Sequence, residues 1–440
     1  MIVLKFGGTS LGNSQRLARA AARVIEHLDD DPIVVVSAVG GVTNLLIRAC
    51  EEAAKGRSLY NELLSIHTNI LREASLPLHL LDDLFESLRT ELIAISHAAS
   101  YNSEILDSLL AFGERLSSRI FASFLTLSGI DAAAWDAGDV GMLTDRSFGR
   151  AKPLKKSVRQ ISSWAKSLRK GEVPVVTGFI GRTEDGRTTT LGRGGSDYSA
   201  AWIAAAVDAK ELEIWTDVNG VMTADPRVVP EARSICELAF DEAAEMAFRG
   251  AKVLHPNTLQ PVRESAIPVR VLNSLVDDDR GTLIVERSSF KGVKCCTSLR
   301  DLLLWQVFDE FGADRNEIIR LTLNELSERS LEIMMLVNSE SGFAVVTPYQ
   351  IEYSEALCSL ASKCRASVST GKALLSLVGE GIAQSYSHVT QALAVFDEKG
   401  IRPDLFAASP TGRSISFIVN DKDLPTVLRG LHSRLSFAVG

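Results

Sequence analysis

The residues with the most chemical reach lie in the stretch Thr188 to Ser199, which reads Thr-Thr-Thr-Leu-Gly-Arg-Gly-Gly-Ser-Asp-Tyr-Ser. Arg193 offers a planar fork that suits a carboxylate or a phosphate, and Asp197 offers a carboxylate that could fix a lysine or a metal ion. Gly192, Gly194 and Gly195 let the backbone turn sharply and come close to a ligand. The apolar run from Tyr198 to Val207 reads as a helix, which Ser196 or Asp197 is placed to cap. The first amides and positive dipole end of that helix then face whatever the loop holds, and an anion is the natural guest. Taken alone, the stretch also fits an ordinary glycine-rich turn between strand and helix.

Two further loops of the same kind make the anion reading stronger. Met1 to Phe6 is an apolar run holding one lysine, Lys5, and leads into Gly7-Gly8-Thr9-Ser10. A helical pattern follows, with Leu17, Ala20, Ala21, Val24, Ile25 and Leu28 predicted on one face. This is the layout of a phosphate loop without its P-loop spacing, since here the lysine precedes the glycines. The third loop, Ala38-Val39-Gly40-Gly41-Val42-Thr43-Asn44, follows the strand-like Ile33 to Ser37. In an open parallel sheet, loops at the carboxyl ends of strands converge on one crevice, where ligands bind.

Other candidates are single side chains. Gly113 and Glu114 lie inside a helical pattern over 105–128, where a glycine costs about 1 kcal/mol relative to alanine and so suggests a close backbone approach. Glu114 reads either as a functional carboxylate or as half of a surface pair with Arg115. Asp217 follows the strand-like Glu211 to Thr216, and the Asn219-Gly220 and Asp225-Pro226 pairs mark that stretch as a loop. Asp217 could serve a ligand or cap a turn. Lys252 sits beside a glycine near a helix end, and His255, next to Pro256, reads as a hydrogen-bonded core residue.

The elements that must position these residues alternate. Short β-branched strands and longer helices follow one another from residue 1 to about 290, which predicts βαβ units and a mostly parallel sheet covered on both faces. Residues 44–104 are nearly all helical in pattern and read as an insertion over the site. Beyond a polar link at 287–292 the pattern changes to strand (295–307), helix (314–328), strands (331–337 and 342–347), helix (351–363) and strand (366–370). A second round follows, with strands at 373–378, 405–408 and 414–419 and helices at 384–399 and 421–435. Two small βαββαβ modules in tandem is the economical reading.

With 440 residues, several domains are expected. A net charge of −8 without a Lys/Arg cluster argues against nucleic acid as the main partner. Asp29-Asp30-Asp31 and Asp277-Asp278-Asp279 read as solvated turns. The six cysteines form no C-x-x-C pair and suit free thiols in a reducing compartment. No apolar run reaches membrane-spanning length and no charged leader precedes the first strand, so the expected location is the cytoplasm.

Six blocks, in order, resemble the aspartate kinases of the amino-acid kinase family over almost the whole chain. They are Lys5 to Ser10, Ser37-Ala38 through Thr43-Asn44, Phe112 to Ser117, Gly192 to Asp197, Trp215 to Val218 with Asp225 to Arg227, and Gly250 to Pro256. The resemblance implies an α/β three-layer sandwich with a mostly parallel sheet over 1–290, followed by two α+β ferredoxin-like ACT modules over 291–440. The first module, about 301–370, would be nested, so that about 291–300 belongs with 371–440. A fused homoserine dehydrogenase is not expected, since no dinucleotide domain follows residue 440. Related kinases acting on glutamate or acetylglutamate, and an amino-acid sensor without catalysis, are the competing readings. Intact Lys5, Glu114, Arg193 and Asp197 speak against the sensor.

The resemblance implies transfer of the ATP γ-phosphoryl group to the side-chain carboxylate of L-aspartate, with Mg²⁺. It gives Lys5 and Asp197 catalytic roles, Lys5 on the transferring group and Asp197 positioning Lys5. Thr43, Glu114, Arg193, Gly194, Gly195 and Ser196 would bind aspartate, Arg193 at its α-carboxylate and Glu114 at its α-ammonium. Lys5, Phe6, Gly7, Gly8, Thr9, Ser10, Thr216, Asp217, Met222, Arg227, Lys252 and Val253 would line the nucleotide site. Met222 stands where many relatives carry a tyrosine. The ACT modules imply a homodimer or higher homo-oligomer and an amino-acid effector, lysine or threonine. Asp314 to Glu317 and Met334 depart from the glycine-containing turn and the acidic ligand commonly found at that effector position.

Overall fold

The computed structural model describes every residue except 252–255, 278–279, 309–314, 352, 362–363, 385 and 439–440, together with the side chains of 256 and 257. The chain divides into two compact units. The first comprises 1–221, 236–244 and 253–288, and the second 222–235, 245–252 and 289–440.

The first unit is built on an eight-stranded sheet. Its strands are β1 (Ile2–Phe6), β2 (Pro32–Val36), β3 (Ala132–Trp135), β4 (Val173–Thr177), β7 (Leu212–Thr216), β8 (Glu237–Ala239), β9 (Val269–Asn273) and β10 (Thr282–Val285). Their order is β3-β4-β2-β1-β7-β9-β10-β8, with β5 (Ile180–Arg182) and β6 (Thr188–Thr190) forming a separate hairpin. From β3 through β9 all neighbours run parallel, and β9 and β10 are antiparallel. β1, β2 and β4 are buried at every position, as runs of Val, Ile and Leu in a sheet covered on both faces must be.

The helices of this unit are α1 (Ser14–Glu26), α2 (Val42–Ala54), α3 (Tyr60–Glu73), α4 (Asp82–Ala98), α5 (Ser103–Leu127), the single turn α6 (Ala137–Val140), α7 (Lys156–Ser167) and α8 (Gly195–Val207). α9 (Phe240–Phe248), which begins in this unit and ends in the second, and the short α10 (Gln260–Glu264) follow. One core joins β1, β2 and β4 to α1 through α5, so the helical segment after residue 42 packs as part of the unit. Asn13 and Asn102 cap α1 and α5, their side chains accepting from the backbone N–H of Arg16 and Ile105 at 2.9 Å. The predicted apolar face of α1 holds for Leu17, Ala20, Ala21 and Val24, whereas Ile25 and Leu28 are exposed. The helix stops at Glu26, and Ile25 lies about 100° around it from Val24.

The second unit is organised on a six-stranded antiparallel sheet. Its strands are β11 (Cys295–Phe308), β12 (Met335–Ser339), β13 (Gly342–Pro348), β14 (Arg365–Val378), β15 (Leu405–Ala408) and β16 (Ser414–Asn420), in the order β12-β13-β11-β14-β16-β15. Its helices are α11 (Arg315–Glu328), α12 (Tyr353–Ala361), α13 (Tyr386–Glu398) and α14 (Leu424–Arg434). β14 is one strand, where the sequence predicts two. Gly371, at φ +64°, accompanies a shift in register against β11 and does not break the strand. The leading half of β11, Cys295 to Leu299, pairs with the trailing half of β14, Leu374 to Val378, and its trailing half pairs with β13. Each half of the sheet has its own core.

All six cysteines are free. Asp29 and Asp30 lie in a 3-10 turn, and Asp277 is exposed and pairs with Arg23, while Asp278 and Asp279 lie outside the described residues. Among the described residues no helix is long and apolar enough to cross a membrane.

Candidate functional site

The carboxyl ends of four parallel strands are stitched together by backbone hydrogen bonds. Gly7 N donates to Trp215 O at the end of β7, and Ser37 N after β2 donates to Phe6 O. Gly40 N donates to Gly8 O at 3.0 Å, and Gly178 N after β4 donates to Val36 O at 2.8 Å. The loops predicted from three glycine motifs therefore meet in one place, at the switch in strand order on either side of β1. A Cβ at Gly8 would collide with Ala38 O, so that contact admits only glycine. On the other side of Ala38, a Cβ at Gly113 would stand 2.7 Å from the Ala38 side chain, which accounts for the glycine inside α5.

Lys5 and Asp197 form the centre. Lys5 Nζ lies 2.6 Å from Asp197 Oδ1, and both side chains are largely buried. Ser196 and Asp197, the caps that the sequence predicts for α8, fall instead in its first turn. Gly194, at φ +71°, bends the chain into the helix earlier, at Gly195, and no side chain caps it. Asp197 is thereby directed to Lys5.

Glu114 is wholly buried, so the alternative of a surface Glu–Arg pair fails; Arg115 turns to Asp136 instead, at 2.8 Å. Glu114 Oε1 accepts from Ala38 N at 3.0 Å, while Oε2 has no hydrogen-bond partner. Burial pushes its carboxyl up to about 8, against the opposing pull of the Ala38 amide and the Lys5 charge. A buried carboxyl with one open oxygen is poised to receive a cationic group.

Thr43 lies partly exposed in the first turn of α2, after Gly41 at φ +85°. Arg193 is exposed and makes no hydrogen bond or ion pair among the described residues. Ser196 packs on Gly178, where a Cβ would stand 2.8 Å from its own. Ser10 Oγ meets Ser274 Oγ at 2.7 Å, and Thr216 Oγ1 donates to Asp217 Oδ1 at 3.3 Å. The ring of Phe6 packs in the core between Phe121 and Trp215, so only its backbone borders the loops.

Met222 and Arg227 belong to the second unit, where Met222 bridges Ser234 and Arg227 is bound to Asp225 at 2.6 Å. Lys252, Val253 and His255 lie outside the described residues. No group of three or more His, Cys, Asp or Glu side chains that could hold a metal ion occurs among the described residues.

Two residues at the site escape sequence reasoning. Ser274, just past β9, donates through N and Oγ to Thr216 O and so ties a further strand end to the Ser10 loop. Phe179 occupies the left-handed region at φ +66°, in a tight turn closed by Ile180 N donating to Gly178 O at 2.7 Å. Its carbonyl receives Leu191 N, and a Cβ at Gly195 would stand 2.7 Å from its ring. Only the Gly178 before it gives any sign in the sequence.

The model of the amino acid kinase family matches residues 1–273. The lysine-sensitive aspartokinase 3 of Escherichia coli is 33% identical over 99% of both chains. The chloroplastic aspartokinase 1 of Arabidopsis thaliana is 31% identical over 98% of this chain and 79% of its own. The crystal structure of E. coli aspartokinase III in complex with aspartate and ADP superposes with a TM-score of 0.84 at 30% identity, covering 99% of each chain. The converging glycine loops, the Lys5–Asp197 pair and these full-length likenesses lead to one conclusion: the chain belongs to the amino acid kinase family, among its aspartokinases.

Proposed function

We propose that the site transfers the γ-phosphoryl group of ATP to the side-chain carboxylate of L-aspartate, giving 4-phospho-L-aspartate, the first step towards lysine, diaminopimelate, threonine and methionine. The observation that carries this reading is the Lys5–Asp197 pair, 2.6 Å apart, at the meeting point of the glycine loops. The acceptor carboxylate has a reference pKa near 4 and is already ionised at neutral pH, so no general base is needed. The obstacle is repulsion. Two unit charges about 4 Å apart cost roughly 4 kcal/mol at an effective dielectric of 20, and the triphosphate carries several. The site must supply positive charge and alignment.

Lys5 neutralises the transferring group, held in place by Asp197, while the amides of Gly8 and Thr9 cradle phosphate oxygens; those of Gly7 and Ser10 donate to Trp215 O and Gly7 O and shape the loop. Arg193 clamps the α-carboxylate of aspartate through a two-pronged contact, and Glu114 Oε2 receives the α-ammonium. Thr43, Gly194, Gly195 and Ser196 complete the substrate wall. Thr216 and Asp217 belong to the nucleotide side. Asp197, paired with Lys5, would hold Mg²⁺ through water, the ion's other ligands being waters and the nucleotide's own phosphates. Its contribution is further charge neutralisation of the phosphates.

The catalytic region lies within residues 1–290, and the ACT pair, over 291–440, joins subunits in a cytoplasmic homodimer or larger assembly. The proposed effector is lysine or threonine, and heat on calorimetric titration with either would show that the altered turn of the first ACT module still binds. The experiment for the activity is ATP turnover with L-aspartate, with the product trapped as the hydroxamate. Turnover with glutamate or acetylglutamate in its place would overturn the substrate assignment.

A further inference from the structure

The strongest unexplained group is Asp107, which is 1% exposed and lies two turns before Glu114 on α5. Its Oδ2 accepts from Gly149 N at 2.9 Å and from Thr190 N at 2.8 Å, and its Oδ1 accepts from Thr190 Oγ1 at 2.7 Å. Thr190 ends β6, three residues before Arg193. Gly149 is the other wall of that loop, since a Cβ on Gly192 would stand 3.1 Å from Gly149 O. One carboxylate therefore grips both backbone segments that frame Gly192 and Arg193. Burial raises the Asp107 carboxyl above its ordinary range, and the three donors oppose that rise. Burying a carboxyl is costly unless it is hydrogen-bonded, and here all three donors come from the two segments it joins.

We infer that Asp107 is a positioning residue which fixes the loop carrying Arg193 to the helix carrying Glu114, and so sets the spacing between the receptors for the α-carboxylate and the α-ammonium of the substrate. The inference rests on the roles proposed above for Arg193 and Glu114. Residues 107 and 114 are seven apart, so they share a helix face about 10 Å apart along the axis. Arg193 itself makes no hydrogen bond or ion pair among the described residues, so its backbone is what determines where the guanidinium starts. Selection for an α-amino acid then depends on a rigid connection between two positions far apart in the chain. An amide here would keep its oxygen for the two backbone donors and turn its NH₂ to the Thr190 hydroxyl, which can accept, so Asp107→Asn exchanges three charge-assisted hydrogen bonds for neutral ones.

The test is steady-state kinetics on Asp107→Asn, Thr190→Val, Arg193→Ala and the double variant Asp107→Asn with Arg193→Ala. Asp107→Asn is expected to raise the aspartate KM about tenfold, as the loss of charge from three charge-assisted hydrogen bonds does, with the ATP KM within about twofold. Thr190→Val, which deletes only the hydroxyl donor, is expected to raise the aspartate KM by a smaller factor and carries the test if Asp107→Asn does not fold. The double variant should be no worse for aspartate than Arg193→Ala alone, because both act through one group. Additive losses in the double variant, or equal rises in both KM values, would overturn the inference in favour of a purely structural role. Arg193→Ala with an unchanged aspartate KM would instead remove the substrate reading on which it rests.

Discussion

Two lysines, one in each sheet, have side chains equally buried, at 10% exposure, and neighbours of opposite kinds. Lys372, within β14 of the second unit, donates to Asp404 at 2.8 Å and to Asn420 at 2.9 Å, and Asn420 is its register partner on β16. Lys5, near the end of β1, has Asp197 as its ion-pair partner, and Gly7 follows two residues later, where no side chain fills the space. An antiparallel ladder passes Lys372 on both sides and encloses it in protein acceptors. A parallel sheet ends its strands together, so Lys5 opens onto loops. Burial alone does not mark a functional cation. Donors left for something other than protein do.

The largest effect that can break this contrast is on turnover. Lys5→Ala should lower kcat by roughly a hundred- to a thousandfold, the scale for removing one group that stabilises transferring charge, with the aspartate KM changed far less. An unchanged kcat would put Lys5 in the same class as Lys372. Next in size, Lys372→Met should leave kcat within about twofold and destabilise the protein by about 1–3 kcal/mol, through the acceptors left unpaired. Thermal melting beside turnover assays separates the two lysines, and a kcat loss at Lys372 would erase the distinction.

A third measurement sharpens it with a buried acid. The Glu114 carboxyl stands at about 8 in the folded protein, above its unfolded value, so folding favours its protonated form. That contribution to stability is full below the unfolded value near 4.5 and is lost as pH rises through about 8. Glu114→Gln should therefore flatten the decline of melting temperature between pH 5 and 8 that the unsubstituted protein shows; parallel curves would contradict the assignment. Smallest of all, kcat/KM for aspartate should climb and level off above about pH 8, as ionised Glu114 becomes the receptor for the ammonium. A profile flat from pH 6 to 9 would remove Glu114 from substrate binding.

Much of this was legible because it is local. A strand followed by a glycine pair and a helix can be read from β1 and α1 without a structure, and so can the alternation that predicts a parallel sheet. The loops at 7–10, 38–44 and 192–197 met where such a sheet requires. Local reading failed where a distant partner decided the outcome. Thr370-Gly371 looks like a strand end, yet β11 pairs with chain on both sides of it and keeps β14 continuous. The segment 222–235 follows a strand of the first unit, yet its Ala224 and Val229 enter a core of the second.

What the sequence determined by itself is the chemistry available: a lysine before glycines, a carboxylate and an arginine in a glycine-rich loop, and an acid one residue past a helical glycine. Tertiary structure decided which of these groups remain available. Arg115 is held by Asp136, and Asp107 is used up by Thr190, a partner 83 residues away, while Glu114 keeps one oxygen open. The reason is physical. Periodicity is written over a few neighbouring residues, but desolvation and hydrogen-bond satisfaction depend on what packs across the fold.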